Sequence, residues 1–388
     1  MSARVLFYLE KSEKQSSEKH QRSDVVFGEH FSELYTYTDV NLMTDSNGAG
    51  SENLGNTVVM VLSDLANEDF RLVANKSWAS EISTEFVVGK PCEIHPSLRN
   101  SSYACFKSTE YDDLVKNPMV LMRQKTYKDK LEKNIEIAEY EKSYEISTNG
   151  ILRVNVIEVL HNLSQKMLTG YSQLLKKYPK MRWVITLHDN TLLNTKQIHQ
   201  LLKSAEIPDP LNNHIVIGDL QKGRAIRYQV GGKNRMKHEP LDEKIREDNY
   251  PGRMSYPVFP SGQAGFLLSR KLVEYLVDSM EEDDFKFYKL HDASIGIYLD
   301  QNRQDLKKQG LEPYWFNTPD ILHWRDSGRM VDDCKNHKNF LGFYGLVDEF
   351  GDCVKFLTEG DSGDFEVRYY FDVDEGHRVT TVSSEVFR

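Results

Sequence analysis

The chain has 388 residues, 39% of them apolar and 28% charged, with a net charge of −10. That composition suits a globular protein with a sizeable core, one large α/β domain with an appendage or two domains. The acidic balance excludes a general nucleic-acid binder, which would carry a basic stripe, but leaves room for an anionic ligand in a local basic pocket.

Residues 1–56 are polar and end in the Gly/Ser/Asn-rich TDSNGAGSENLGN, which reads as a leader and linker. The apolar part of MSARVLFYLEK is too short for a secretory signal, and no run reaches the roughly 18–20 apolar residues of a membrane span, so no transmembrane segment is expected. TVVMVLSD (Thr57 to Asp64) is a continuous β-branched run, as a buried parallel strand would show. Helical spacing follows over Asn67 to Ser80, then a strand at Glu85 to Val88 and a charged helix over Lys125 to Ser143. Asn155 to Leu160 reads as a strand and Leu163 to Lys177 as a long helix stopped by Pro179. A further strand spans Met181 to Asp189, a helix Gln197 to Ser204, and a strand Asn213 to Leu220.

Strands alternating with helices predict an α/β fold with a mostly parallel central sheet. Ligands of such sheets sit beyond the carboxyl ends of the strands, which places His188, Asp189 and Asn190 at the expected site. The tail, 348–388, alternates at period two and predicts a β-rich hairpin appendage.

Cys92, Cys105, Cys334 and Cys353 fall as two close pairs. They permit two disulfides among three pairings in an oxidising compartment, and equally four free thiols in a reducing one. N-x-S/T triplets at Asn75, Asn100 and Asn162 lean toward secretory passage.

Two later blocks carry the chemistry. YPVFPSGQAGFLLS (Tyr256 to Ser269) sets glycines between an aromatic-Pro entry and an apolar exit, where bare backbone lets a ligand approach. LHDASIGIYLDQ (Leu290 to Gln301) puts Asp292 at the start of a short amphipathic segment, a position equally suited to a helix cap and to a general base.

From about Thr57 to Glu349 the chain resembles the β1,3-galactosyltransferase family, with fringe-like features in GQAGFLLS. VVMVLSDLANEDFRLVANKSW, FVVGK, VIEVLHNLSQKML, WVITLHDNTLLN and GDLQKGRAIR resemble family blocks in the family's order, followed by the two blocks above. The resemblance implies a Rossmann-like nucleotide-sugar fold of GT-A type. It implies a transferase domain over 57–347, its donor half about 57–220 and its acceptor half about 221–347. It further implies a UDP-sugar donor, Mn²⁺, a glycan, glycoprotein or glycolipid acceptor, inversion at the anomeric carbon and a Golgi location. On this reading Asp292 is the catalytic base. Arg71, Trp78, Asp189, Arg224 and Arg227 bind the donor, and Ser261, Gly262, Gly265 and Trp324 line the acceptor side. Trp183 reads as core and His323 as structural.

The metal motif departs from the family. Where relatives carry three consecutive carboxylates, the chain has His188, Asp189 and Asn190, all able to ligate a first-row ion but with less charge for a hard one. Phe343 stands where the family's second metal histidine is expected, and Asn75, Tyr178 and Phe259 replace a family arginine and two cysteines. Three expectations follow. The metal is kept on His188, Asp189 and Asn190; or Arg224, Arg227 or Lys233 neutralises the diphosphate instead; or catalysis is lost and a glycan-binding or chaperone-like protein remains.

Overall fold

The structure is a computed structural model. It describes residues 56–95, 115–143, 150–159, 162–224, 255–262, 265–282, 285–288, 290–318, 322–324, 342–344, 366–374 and 379–387, with single positions at 105, 113, 250 and 253.

All six residues of β1 (Thr57–Leu62) are buried, and alternate side chains enter two different cores. Val59 and Val61 pack with Trp78, Trp183 and Ile217; Val58, Met60 and Leu62 pack with Tyr171, Phe266 and Leu272. A strand apolar on both faces requires cover on both faces, and that dictates a three-layer α/β arrangement. The chain continues through α1 (Glu68–Lys76), β2 (Ser83–Lys90), α2 (Pro118–Ser143), β3 (Gly150–Ile157), α3 (Leu163–Lys177) and β4 (Trp183–His188). Then come β5 (Thr191–Leu193), α4 (Thr195–Leu202), β6 (Ile215–Gly218), β7 (Leu220–Gln221), β8 (Phe259–Pro260) and β9 (Phe266–Ser269). The last elements are α5 (Arg270–Glu281), α6 (His291–Gln301), α7 (Arg303–Gln309), β10 (Tyr314–Asn317), β11 (Leu322–Trp324), β12 (Gly342–Tyr344), β13 (Glu366–Asp374) and β14 (Val379–Phe387).

Among the described residues the main sheet has nine strands in the order β13-β14-β10-β6-β9-β4-β1-β2-β3. β9 runs antiparallel to β4 and β6, and β13 to β14; the other pairings are parallel. The mostly parallel sheet and the α/β class are those expected from the strand–helix alternation. The tail read as an appendage is continuous with this sheet, because β14 pairs with β10 from Trp315 opposite Val379.

Local differences have local causes. The first helix ends at Lys76, and a 3₁₀ turn at Ala79–Glu81 replaces its predicted last turn. β3 starts at Gly150, earlier than its apolar pattern suggests, because Gly150 to Arg153 pair with Glu85 to Val88 of β2. Cys92 and Cys105 form a disulfide, while Cys334 and Cys353 lie outside the described residues. Among the described residues, no helix is long and apolar enough to cross a membrane.

The topology gathers the site. The order β1-β2-β3 runs one way from β1 and β4 lies on its other side, so the strand order reverses between β1 and β4, where open α/β sheets bind ligands. Leu62 and His188 are register partners at the carboxyl ends of those strands. β9 enters from that same edge, with Phe266 paired to Thr186 and Gly218.

Candidate active site

Beyond the ends of β1 and β4 lies a buried polar network. Asp189 Oδ2 accepts hydrogen bonds from Ser63 Oγ and Asn67 Nδ2, each at 2.9 Å. Arg71 donates to Ser63 Oγ at 3.2 Å, to the Leu65 carbonyl at 3.1 Å and to the Asp64 carbonyl. Lys166 donates to the Ser63 carbonyl and pairs with Glu158, which also accepts the Gly89 amide. Both members of that ion pair are nearly inaccessible, at 4% and 9% side-chain exposure. Buried charge is tolerated only when partnered in this way. Burial pushes the Glu158 carboxyl up while Lys166 pulls it down. Burial likewise raises Asp189, against its bonds from Asn67 and Ser63.

A second group approaches from α6. Asp292 lies in the first turn, half-buried, with Oδ2 accepting the Gly262 amide and Oδ1 accepting the Ala293 amide, both at 2.8 Å. The partial positive charge of a helix start suits a carboxylate there. His291 is buried beside it, and its ring meets His188 edge-on at 5.1 Å between centroids. Burial holds His291 down at about 3; burial and the His291 ring hold His188 low as well. Both are therefore neutral imidazoles near pH 7.

The glycine block has two different reasons for its bareness. A Cβ on Gly262 would lie 2.7 Å from the His291 ring and 3.2 Å from the Asp292 Cβ, so this glycine lets the loop close on the start of α6. Gly265 has φ +90, and its missing Cβ points at the Leu187 side chain, 2.2 Å away, and at the Thr186 carbonyl, 2.9 Å away. The direction left bare at Gly265 therefore faces β4 and not an approaching acceptor. Ser261 is buried and its amide donates to the Asp219 carbonyl at 2.7 Å.

Two other expected site residues bond to the chain's own loops. Arg71 is 5% exposed and holds three oxygens of the loop after β1, and Trp78 is buried with its indole N–H on the Thr191 carbonyl at 3.1 Å. Arg224 is exposed on the segment following β7. Arg227 and Lys233 lie outside the described residues, as does the side chain of Trp324, whose backbone belongs to β11. Trp183 is core.

Sequence reasoning passed over Ser63, Asn67, Lys166 and Glu158. The rule that ligands sit past strand ends singled out the loop after β4, and it applies equally to Ser63 and Asp64 after β1.

Asp189 is the one carboxylate of the 188–190 turn. Among the described residues no three or more His, Cys, Asp or Glu are placed to hold an ion. One oxygen of Asp189 is already shared by two donors, and the His188 ring is packed against His291. Position 343, the expected second histidine, is a phenylalanine in β12 opposite Leu192 of β5, close in register to the 188–190 turn. The fold thus brings that position to the motif, and the chain leaves it without a ligand.

The galactosyltransferase family model matches residues 128–309, which include β4, its 188–190 turn, the glycine block and Asp292. This segment is similar to the galactosyltransferase family. A curated β1,3-galactosyltransferase, GALT1 of Arabidopsis thaliana, is 32% identical over 82 residues, covering 21% of this chain and only 11% of that protein. Among solved structures, a glycosyltransferase involved in glycosylation of the major capsid of PBCV-1 is 10% identical and covers 78% of this chain and 99% of its own. Its TM-score of 0.30 is too low to argue from.

Proposed function

We propose that the chain is an inverting glycosyltransferase that moves a hexose or N-acetylhexosamine from a UDP-sugar to a glycan hydroxyl, with Asp292 as general base. One observation carries this reading: the His188–His291 contact joins the turn after β4 to the first turn of α6 at the sheet edge where nucleotides bind. The donor would occupy the β1/β4 crevice, and the acceptor would approach over Gly262. The acceptor hydroxyl gives its proton to an Asp292 oxygen, each of which keeps a lone pair beyond its amide contact. The hydroxyl oxygen then bonds to the anomeric carbon as the bond from that carbon to the diphosphate breaks, and UDP leaves with the electron pair. Attack from the opposite face inverts the centre. Similarity to the galactosyltransferase family model and to a curated β1,3-galactosyltransferase supports a Golgi-type location and a β1,3 linkage.

Asp292→Asn keeps the shape and removes proton acceptance. Transfer should fall by roughly 10²–10⁴ with UDP binding nearly intact, a general base being worth about that much. Activity within about threefold of wild type would remove Asp292 from the role.

On this reading the single carboxylate of the 188–190 turn leaves the diphosphate to be met by basic side chains, Arg224 among them, rather than by manganese. Calorimetry should then give equal UDP affinity in EDTA and in Mn²⁺, and a marked rise with Mn²⁺ that Asp189→Ala removes would restore the metal. The same thin ligand set supports a second reading, a relative that only binds glycans or partners. Absence of UDP release from every common UDP-hexose and UDP-N-acetylhexosamine, by folded protein with and without Mn²⁺, selects that reading.

A further inference from the structure

At the opposite end of the sheet, where β6 begins, a cavity of about 340 Å³ is lined by His214, Lys271, Glu274, Tyr275, Asp278 and Leu311. Its size falls within the range of small-ligand pockets. Lys271, Glu274, Tyr275 and Asp278 occupy positions i, i+3, i+4 and i+7 of α5 and so share one helix face.

The donor and acceptor inventory identifies the occupant. His214 is 1% exposed, and its Nδ1 lies 2.8 Å from the Leu311 carbonyl. A carbonyl can only accept, so Nδ1 carries the proton and Nε2 is an acceptor. That Nε2 is buried and has no hydrogen-bond partner, an uncommon condition that a ligand's donor would relieve. Asp278, exposed on the same face, adds a carboxylate. Glu274 is held by Arg270 at 2.6 Å and keeps acceptor capacity beyond that bond. The Tyr275 ring lies 5.1 Å from the His214 ring and supplies an apolar wall. Lys271 is the cationic member of the lining and, with Arg270 on Glu274, offsets the two carboxylates.

Acceptors outnumber donors beside an aromatic wall, which suits a ligand rich in hydroxyl donors with an apolar C–H face. We infer that the cavity beside α5, around His214, Tyr275 and Asp278, is a saccharide-binding site separate from the edge that holds Asp292. The inference stands on its own donor inventory and does not depend on the transferase reading.

Saturation-transfer NMR on the full chain with lactose, cellobiose and N,N′-diacetylchitobiose tests it. At least one should receive saturation, and Asp278→Ala or Tyr275→Ala should weaken its binding about tenfold, the equivalent of about 1.4 kcal/mol. Asp292→Asn should leave it unchanged. Asp278 is exposed, so its variant keeps the test valid if Tyr275→Ala proves unstable. No saturation of any of the three disaccharides overturns the inference. So does binding that survives Asp278→Ala, or binding that responds only to Asp292→Asn.

Discussion

Replacing Gly265 with alanine separates a packing glycine from an acceptor-clearing one. The residue has φ +90, and a Cβ there would stand 2.2 Å from Leu187 Cδ2 and 2.9 Å from the Thr186 carbonyl. Leu187 is 1% exposed and Thr186 belongs to the β4 backbone, so neither has room to withdraw. Backbone strain of about 1–3 kcal/mol and overpacking of about 1–3 kcal/mol act together, giving an expected loss of about 2–6 kcal/mol. Gly310, the left-handed cap of α7, is the control: φ is +71 and nothing lies within 4 Å of its missing Cβ. Gly310→Ala should cost only the left-handed penalty, about 1–2 kcal/mol. Urea unfolding of both variants reads the difference from the midpoints, provided the slopes agree. Equal midpoints for the two variants would refute the packing argument and return Gly265 to the acceptor side.

Three other outcomes are expected. Lys166→Met should destabilise by about 3–5 kcal/mol by leaving Glu158 buried without its cation, and the double variant Lys166→Met/Glu158→Gln should recover part of that in a thermodynamic cycle. His214, held below its ordinary 6.5 by burial, contributes stability that is present above about pH 6.5 and lost as pH falls. His214→Asn keeps a donor for the Leu311 carbonyl and removes the titration, so urea midpoints of wild type should fall relative to the variant between pH 7.5 and 5.5; parallel profiles would contradict this. Reduction of the Cys92–Cys105 bridge, 13 residues apart, should lower stability by about 3 kcal/mol in a paired melt with and without reductant.

The sheet was legible because burial on both faces leaves a plain mark. TVVMVL and WVITLH are apolar at consecutive positions, and each became a central strand. Ends were less legible where pairing overrides pattern: ILRV carries an arginine yet pairs with β2, which sets the start of β3. The site was half legible. Asp292 and the 188–190 turn could be placed from order and strand ends, but what surrounds them could not. Lys166 lies in the first turn of α3, within NLSQKML, and only the fold turns it inward to meet Glu158 and the Ser63 carbonyl. Arg71 and Trp78, which the family resemblance offered for the donor, make hydrogen bonds to Ser63, Asp64, Leu65 and Thr191 of the chain itself.

The charge at this edge explains how the motif can have lost its acids. Three carboxylates in a row concentrate negative charge and require a cation before a diphosphate can enter. Here Asp189 shares its surroundings with Asp64 and Glu158, while Lys166 and Arg71 supply compensating positive charge from within the fold. An edge so nearly balanced repels a diphosphate less, and the first-turn amides of α6 add a positive dipole end close by. Exchanging His188 and Asn190 for acids would restore negative charge beside a buried Asp189 whose carboxyl burial already raises. Without a bound cation those carboxylates would repel one another. On the proposed function, the histidine and asparagine would suit an edge whose cations are protein side chains, and diphosphate affinity in EDTA is the quantity that decides between that mode and a metal.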